Sequence, residues 1–188
     1  MEIIMSLFTH KNKSASKSGL SASEIAVFAM LGAVMFCSKI IMEILPNIHI
    51  LGMLTMVYTL VYRKKALFPI YVYVLLNGIF SGFATWWIPY LYVWTVLWGV
   101  TMLLPKKMTV LVASVVYPLV CCLHGLSFGI LYAPAQALLY GFDFEQMIAW
   151  IAAGAAFDVI HAVGNFAGGF LILPMVKLLR KIDVYTKA

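Results

Sequence analysis

Long apolar segments alternate with short polar ones along most of this chain, and the pattern predicts membrane-spanning helices. A transmembrane helix needs about 20 mostly apolar residues. The segment 49–62 is shorter than that, so we expect it either to be shielded by neighbouring helices or to begin below the outer surface. The sequence therefore predicts an all-α integral membrane protein, a bundle of six transmembrane helices. The predicted spans cover about residues 24–45, 49–62, 66–83, 90–104, 108–131 and 156–179.

One segment interrupts this pattern before the last predicted span. Residues 133–154 are less apolar and include Pro134, Gly141 and Asp143. We interpret them as an external excursion with one or two short helices lying on the membrane surface, anchored by Trp150. The predicted organisation is a cytoplasmic tail over residues 1–23, a six-helix membrane domain over 24–181 and a second cytoplasmic tail over 182–188.

The basic residues define the orientation of the predicted bundle. Twelve of the 13 Lys and Arg residues fall into four clusters, each two predicted crossings from the next. Because positive charge stays in the cytoplasm, this spacing predicts that both termini are cytoplasmic, and only Lys39 departs from the rule. The formal charge of +6 then reflects basic residues that set the membrane topology and lie beside anionic lipid. No nucleic-acid partner is needed to explain it. The clusters are Lys11, Lys13 and Lys17; Arg63, Lys64 and Lys65; Lys106 and Lys107; and Lys177, Arg180, Lys181 and Lys187.

Three polar residues share one face of the last predicted span. Asp158, His161 and Asn165 are spaced so that they lie within about 60° of arc on a helix. Polar groups are costly in a bilayer, so each needs a reason to be there. They either recognise a polar heterocyclic ligand or hydrogen-bond to neighbouring helices and hold the bundle together.

The first predicted external turn contains four more polar candidates: Lys39, Glu43, Asn47 and His49. Lys39 and Glu43 are four residues apart and can form an ion pair, or either can meet a substrate. Asn47 suits the turn itself, and His49 is either a structural histidine or a ligand contact.

Aromatic and small residues mark two further surfaces. Trp94 and Trp98 are four residues apart in the fourth span and form a candidate stacking wall, near which His124 is a candidate cavity residue. Trp86 and Trp87 suit an interfacial aromatic belt. In the first span, Ala29 and Ala33 form an AxxxA pair that allows another helix to approach closely, or they serve ordinary internal packing.

The sequence lacks the common signatures of catalysis. It has no Walker lysine loop, no HExxH pair and no GxSxG elbow, so we predict no enzymatic activity, no cofactor and no metal. Two alternatives stay open. One is a membrane-embedded enzyme that uses Asp158 and His161 as an acid–base pair. The other is a structural assembly subunit that binds no ligand.

These features together resemble the substrate-binding S component of an energy-coupling factor (ECF) type vitamin transporter. The resemblance rests on the size, the six spans, the basic inner loops, the AxxxA pair and the segment AWIAAGAAFDVIHAVGNFAGGFLILP near the end. It implies a multi-pass protein of a prokaryotic plasma membrane. It also implies that the protein binds a vitamin-like small molecule near the outer face and reorients on a transmembrane coupling subunit that carries two cytoplasmic ATPase subunits.

The resemblance also assigns roles to residues. It implies that Ala29 and Ala33 face the coupling subunit and that the first external loop closes over the substrate. The ligand would be held by the external loops and the outer parts of the last three spans. The residues there are Trp94, Trp98, His124, Asp158, His161 and Asn165. A flat, hydrogen-bonding ring system fits such a set.

Overall fold

The structure is a computed structural model that describes residues 19–45 and 47–186. Within these residues the protein is all-helical, with no strand. Eight α-helices follow one another: α1 (Ala22–Met42), α2 (Leu51–Tyr62), α3 (Leu67–Ser81), α4 (Tyr90–Leu103), α5 (Val110–Leu126), α6 (Phe128–Tyr140), α7 (Phe144–Gly169) and α8 (Ile172–Thr186). Short 3-10 turns at Arg63–Ala66 and Thr85–Trp87 join α2 to α3 and α3 to α4.

Among the described residues, three helical runs are long and apolar enough to cross a membrane. They are Ala22–Met42, Val110–Tyr140 (α5 continued by α6) and Phe144–Gly169. Their exposure fits this environment. On α7, the side chains of Phe157 and Val163 are more than half exposed, whereas Asp158 is buried. Polar groups inside and apolar groups outside are what a hydrocarbon solvent favours.

Helix α2 lies at the centre of the fold. Every residue from Leu51 to Thr59 is buried, and the helix packs against α4, α5, α7 and α8. An α-helix that is apolar on all sides is stable only when it is surrounded. Of the two alternatives for this short segment, the structure shows that neighbouring helices surround it.

Local sequence explains where several helices begin and turn. Ser21 and Glu24 form a capping box at the start of α1. Asp143 and Gln146 form another at the start of α7. Gly141 ends α6 in the left-handed conformation, with φ of 70°, which glycine adopts without a steric penalty.

The structure differs from the sequence prediction in the last third of the chain. Residues 133–140 complete α6, and residues 144–154 form the first part of α7, so the segment 133–154 belongs to these two longer helices. The predicted fifth span, 108–131, is divided at Ser127, whose backbone leaves the helical region. The reason lies in the tertiary contacts of α6 described below.

The predicted last span, 156–179, is also two helices. Helix α7 ends at Gly169, where the chain passes close to the backbone of Pro118 on α5, and α8 starts at Ile172. Pro174 sits in the first turn of α8, where a proline is tolerated. Helix α8 continues beyond residue 181, the predicted end of the membrane domain.

Basic side chains gather at one end of the fold, which we call the basic end. The Arg63 guanidinium donates to the carbonyl of Met102 at 2.9 Å, and Arg180 donates to the carbonyl of Leu60 at 3.3 Å. These bonds bring the ends of α2 and α4 together with α8. Helix α2 has 12 residues, so its other end lies about 18 Å away.

Candidate ligand-binding site

A cavity of about 440 Å³ lies at the end of α2 opposite the basic end. Its walls come from the end of α1, the connection over residues 43–50, the starts of α4 and α6, and the middle of α7. Its lining residues are Lys39, Met42, Glu43, Leu45, Asn47, Ile48, His49, Tyr90, Phe128, Gly129, Tyr132, Trp150, Gly154, Phe157, Asp158 and His161. The lining therefore includes all four candidate site residues from the first predicted external turn and two of the three candidates from α7.

The rim on α1 carries an ion pair. The Lys39 ammonium lies 3.0 Å from a carboxylate oxygen of Glu43, so the pairing that the spacing allowed is present. The Glu43 side chain is 60% exposed and that of Lys39 is 19% exposed. Asn47 follows in the left-handed region with φ of 60°, a conformation that asparagine tolerates, so it serves the turn before α2.

Asp158 of α7 caps the start of α6. Its two carboxylate oxygens accept from the backbone N–H of Gly129 at 3.0 and 3.1 Å, and the bond is buried. No side chain nearby in sequence caps α6, because Ser127 donates instead to the carbonyl of His124 at 3.1 Å. A carboxylate at a helix N-terminus is favourable. A Cβ on residue 129 would collide with this carboxylate, so the contact requires glycine.

A series of stacked rings crosses the cavity wall from α7 to α6 and back. The His161 ring stacks on Phe128 at a centroid distance of 4.9 Å, Phe128 stacks on Tyr132 at 5.8 Å, and Tyr132 stacks on Trp150 at 6.0 Å. We call Phe128, Tyr132 and Trp150 the aromatic lane. Sequence reasoning did not assign Phe128 or Tyr132 to the site. Phe128 and Tyr132 are four residues apart, so they lie on one face of a helix, and this spacing was the signal in the sequence that could have indicated them.

His49 lies against His161 across the cavity. Their ring centroids are 5.1 Å apart, and both Nδ1 atoms are buried. Burial and the neighbouring imidazole of His161 lower the pKa of His49 to about 3. His49 is therefore neutral at physiological pH.

Three predicted site residues lie beneath the cavity and do not line it. Trp94 is 1% exposed, with its ring centroid 6.2 Å from that of His49. His124 is buried, and its Nε2 is 3.1 Å from the carbonyl oxygen of Val93. Asn165 is buried against Gly52 and Gly125. These side chains form a second layer that supports the floor.

Trp98 lies farther from the cavity than the other predicted site residues of α4 and α5. Its indole N–H donates to the carbonyl of Arg63 at 3.1 Å, which places this ring at the basic end. The spacing of four residues from Trp94 is the physical reason. One helical turn moves the ring about 6 Å along α4 and away from the cavity.

The described residues contain no group of three or more His, Cys, Asp or Glu side chains able to hold a metal ion. The stacked rings of the cavity complement a flat ligand, and its imidazoles offer hydrogen bonds.

Helix α1 presents the predicted partner surface away from the cavity. Ala29 is exposed and Ala33 is half-buried. Gly32, about 60° around the helix from Ala29, packs against Val72 of α3. Ala29 therefore stays exposed beside the contact between α1 and α3.

In comparisons with known protein families, characterised proteins and solved structures, nothing matches this chain. The geometry of its own residues thus carries the functional argument.

Proposed function

We propose that this protein is the substrate-binding S component of an ECF-type importer, and that it captures a vitamin-sized flat molecule. The observation that carries the proposal is the cavity of about 440 Å³ at the end of the fold opposite the basic end. Ligand pockets are typically concave, largely apolar and equipped with a few convergent polar groups. The aromatic lane, His49 and His161 supply these features.

The proposed topology has six crossings with both termini in the cytoplasm of a prokaryotic cell. Helices α1, α2, α3 and α4 make four crossings, α5 makes the fifth, and α7 makes the sixth and leads into α8. Positive charge favours the cytoplasmic side, so the basic end faces inward and the cavity faces outward. The short α2 is accommodated because its neighbours surround it.

The proposed cycle begins with capture of the ligand from outside. The connection over residues 43–50, which carries Asn47 and His49, closes over the cavity and acts as the gating loop. The bundle then reorients on a transmembrane coupling subunit, and hydrolysis of ATP by two cytoplasmic ATPase subunits drives release inward. The exposed face of α1 around Ala29 and Ala33 is the proposed docking surface, since small residues let another helix approach closely.

The test begins with the purified full-length protein and mass spectrometry of the small molecules that it releases on denaturation. We expect one vitamin-sized compound in stoichiometric amount. We also expect a coupling subunit and two ATPases to copurify when the protein is isolated gently from its native membrane. If no compound is released and no ATPase copurifies, the proposal fails and the structural assembly subunit becomes the better description.

A further inference from the structure

A second concave surface lies along α3 and starts at the basic end. It is a groove of about 540 Å³, which we call the α3 groove. Three of its large side chains, Phe68, Tyr71 and Leu75, are each at least 40% exposed. The groove shares no lining residue with the cavity described above. Its lining residues are Lys64, Leu67, Phe68, Tyr71, Val72 and Leu75.

The walls of the α3 groove offer almost no hydrogen bonds. Apart from Lys64, the only polar side-chain atom in the lining is the hydroxyl of Tyr71. That hydroxyl donates to the carbonyl of Leu91 at 2.8 Å and lies 2.8 Å from Oγ1 of Thr95, so it is already engaged with α4. A ligand along the groove therefore meets apolar surface, which suits a hydrocarbon chain.

The end of the groove at the basic end carries an unused positive charge. Arg63 donates to the carbonyl of Met102. Lys65 pairs with the carboxylate of Glu24. Lys64, between them, is exposed, and within the part of the chain that the structure describes it forms no ion pair or hydrogen bond. The turn thus uses two of its three cations within the fold and leaves the one that lines the groove for an anion.

The length of the groove matches one leaflet of a bilayer. Leu67 and Leu75 are eight residues apart on α3, which is about 12 Å along the helix. Half of a hydrocarbon core of about 30 Å is about 15 Å. In the proposed topology the basic end faces the cytoplasm, so this leaflet is the one that contains anionic lipids. Lys64 then lies where their phosphates are.

The charge at the end of the groove favours a lipid over a partner helix. A partner helix would need an acidic residue at the level of Lys64 to match the ammonium. An anionic phospholipid has its phosphate at the end of its acyl chains, so it matches the apolar walls and the charge together.

We propose that the α3 groove binds an anionic phospholipid, with its phosphate beside Lys64 and an acyl chain along Phe68, Tyr71 and Leu75. This inference rests on the proposed function only in its topology, which places α3 across the bilayer with the basic end inward. It adds a lipid site on the outer side of the bundle.

Two lipids with identical chains test the proposal: dioleoyl phosphatidylglycerol, which is anionic, and dioleoyl phosphatidylcholine, which is zwitterionic. Each is titrated into delipidated full-length protein in a neutral detergent, and bound lipid is counted by native mass spectrometry. We expect one phosphatidylglycerol to bind at least about fivefold more tightly than phosphatidylcholine. Glycerol 3-phosphate, which has the anionic group but no chain, should not displace it. Equal affinity for the two lipids, or displacement by glycerol 3-phosphate, overturns the proposal.

A pair of charge variants locates the phosphate. Lys64→Gln should lower the affinity for phosphatidylglycerol about fivefold and leave that for phosphatidylcholine unchanged. Lys106→Gln is the matched control, because it makes the same change at an exposed lysine outside the groove. Equal effects of the two variants would show that net charge, and not Lys64, selects the lipid.

A second pair of variants locates the chain. Leu75→Trp should weaken binding of both lipids by at least about fivefold, because the larger ring fills space that the chain would occupy. Leu119→Trp on α5 is the control. Leu119 is 47% exposed and Leu75 is 51% exposed, so the two changes add a similar ring to similar surfaces. Full lipid affinity in Leu75→Trp would show that the chain lies elsewhere.

The outcomes separate this inference from the proposed function. If both lipids bind alike while ATPases copurify, the lipid site is wrong and the importer proposal stands. If phosphatidylglycerol binds as expected but the protein releases no compound and yields no ATPase partner, the importer proposal fails and the lipid site stands. Equal affinity for both lipids, together with loss of copurifying ATPases in Leu75→Trp, would assign the groove to a protein partner instead.

Discussion

Helices α1 and α7 are both long and apolar, but they differ in which residues face the bundle and which face outward. On α7 the polar residues Asp158, His161 and Asn165 are all buried, and large apolar side chains such as Phe157 and Val163 are exposed. On α1 the exposed face holds the small Ala29 beside large apolar residues such as Ile25 and Met30. One helix thus turns its polar residues into the fold, and the other leaves a small residue on its outer face.

The difference teaches that hydrophobicity alone does not assign function along this chain. In a bilayer the hydrophobic effect does not drive helices together, so close approach of small residues and satisfaction of polar groups decide which faces meet. On the α7 face, Asp158 is hydrogen-bonded within the chain to Gly129. The α1 face has no such contact among the described residues, and it fits the docking role that we propose. The predictions below try to break this assignment.

The largest effect is expected at Gly32, which lies about 60° around α1 from Ala29 and faces α3. A Cβ there would lie 2.6 Å from Cβ of Val72 and 2.9 Å from the carbonyl oxygen of Pro69. Gly32→Leu should separate α1 from α3 and cost about 1–3 kcal/mol or more of stability. The measurement is the yield and the thermal unfolding midpoint in detergent. Ala26→Leu, which is exposed on the same helix, is the control and should behave as the unmodified protein does. Equal midpoints for the two variants would contradict the packing described here.

The second prediction concerns transport. Ala29→Trp should leave the fold and ligand binding unchanged within about twofold, but reduce uptake into cells to background, because a large ring blocks close helix approach. Val34→Trp is the matched control. Val34 is 52% exposed on the same helix but lies about 140° around it from Ala29, so uptake should persist. Parallel loss of binding and uptake in Ala29→Trp would remove Ala29 from the proposed docking surface.

The sequence predicted the face of α7 on which these polar residues lie, but not which of them line the cavity. The spacing of Asp158, His161 and Asn165 places them on one side of a helix, and all three are buried. Asn165 lies about 10 Å beyond Asp158 along the helix, so it falls below the cavity floor. The floor is set by the position of His49 and Trp94, two residues of other helices and loops. No local sequence pattern in α7 indicates where the floor of the cavity lies.

The aromatic lane shows more clearly that local sequence patterns do not indicate which residues line the cavity. Phe128 and Tyr132 enter the site because α6 starts at Phe128, and Asp158 caps that start from 29 residues away. This contact requires the missing side chain of Gly129. The sequence analysis placed the end of the fifth predicted span at residue 131 and missed the break at Ser127, because that break is a tertiary effect.

A third prediction distinguishes the two roles open to Asp158. Asp158→Ala removes the partner of a buried N–H, at a cost of about 1–3 kcal/mol. If that cost appears in binding, affinity falls by about 5- to 150-fold. Asp158→Asn retains an acceptor oxygen for Gly129 and should lose far less. The measurement is calorimetric titration with the compound released from the unmodified protein. Equal loss in both variants would show that the charge itself meets the ligand.

The smallest effect is expected at the ion pair on the cavity rim. Lys39 and Glu43 are four residues apart on α1, and the Glu43 side chain is largely exposed, so solvent screens their attraction. Such pairs contribute about 0.3–0.5 kcal/mol. The double variant Lys39→Met with Glu43→Gln should therefore change affinity for an uncharged ligand by less than about threefold, at both low and high salt. A loss of affinity of more than about 10-fold in the double variant, with a comparable loss in each single variant, would place the pair in contact with the ligand. The polar recognition surface would then extend from α7 onto α1, and the division between the two helices would no longer hold.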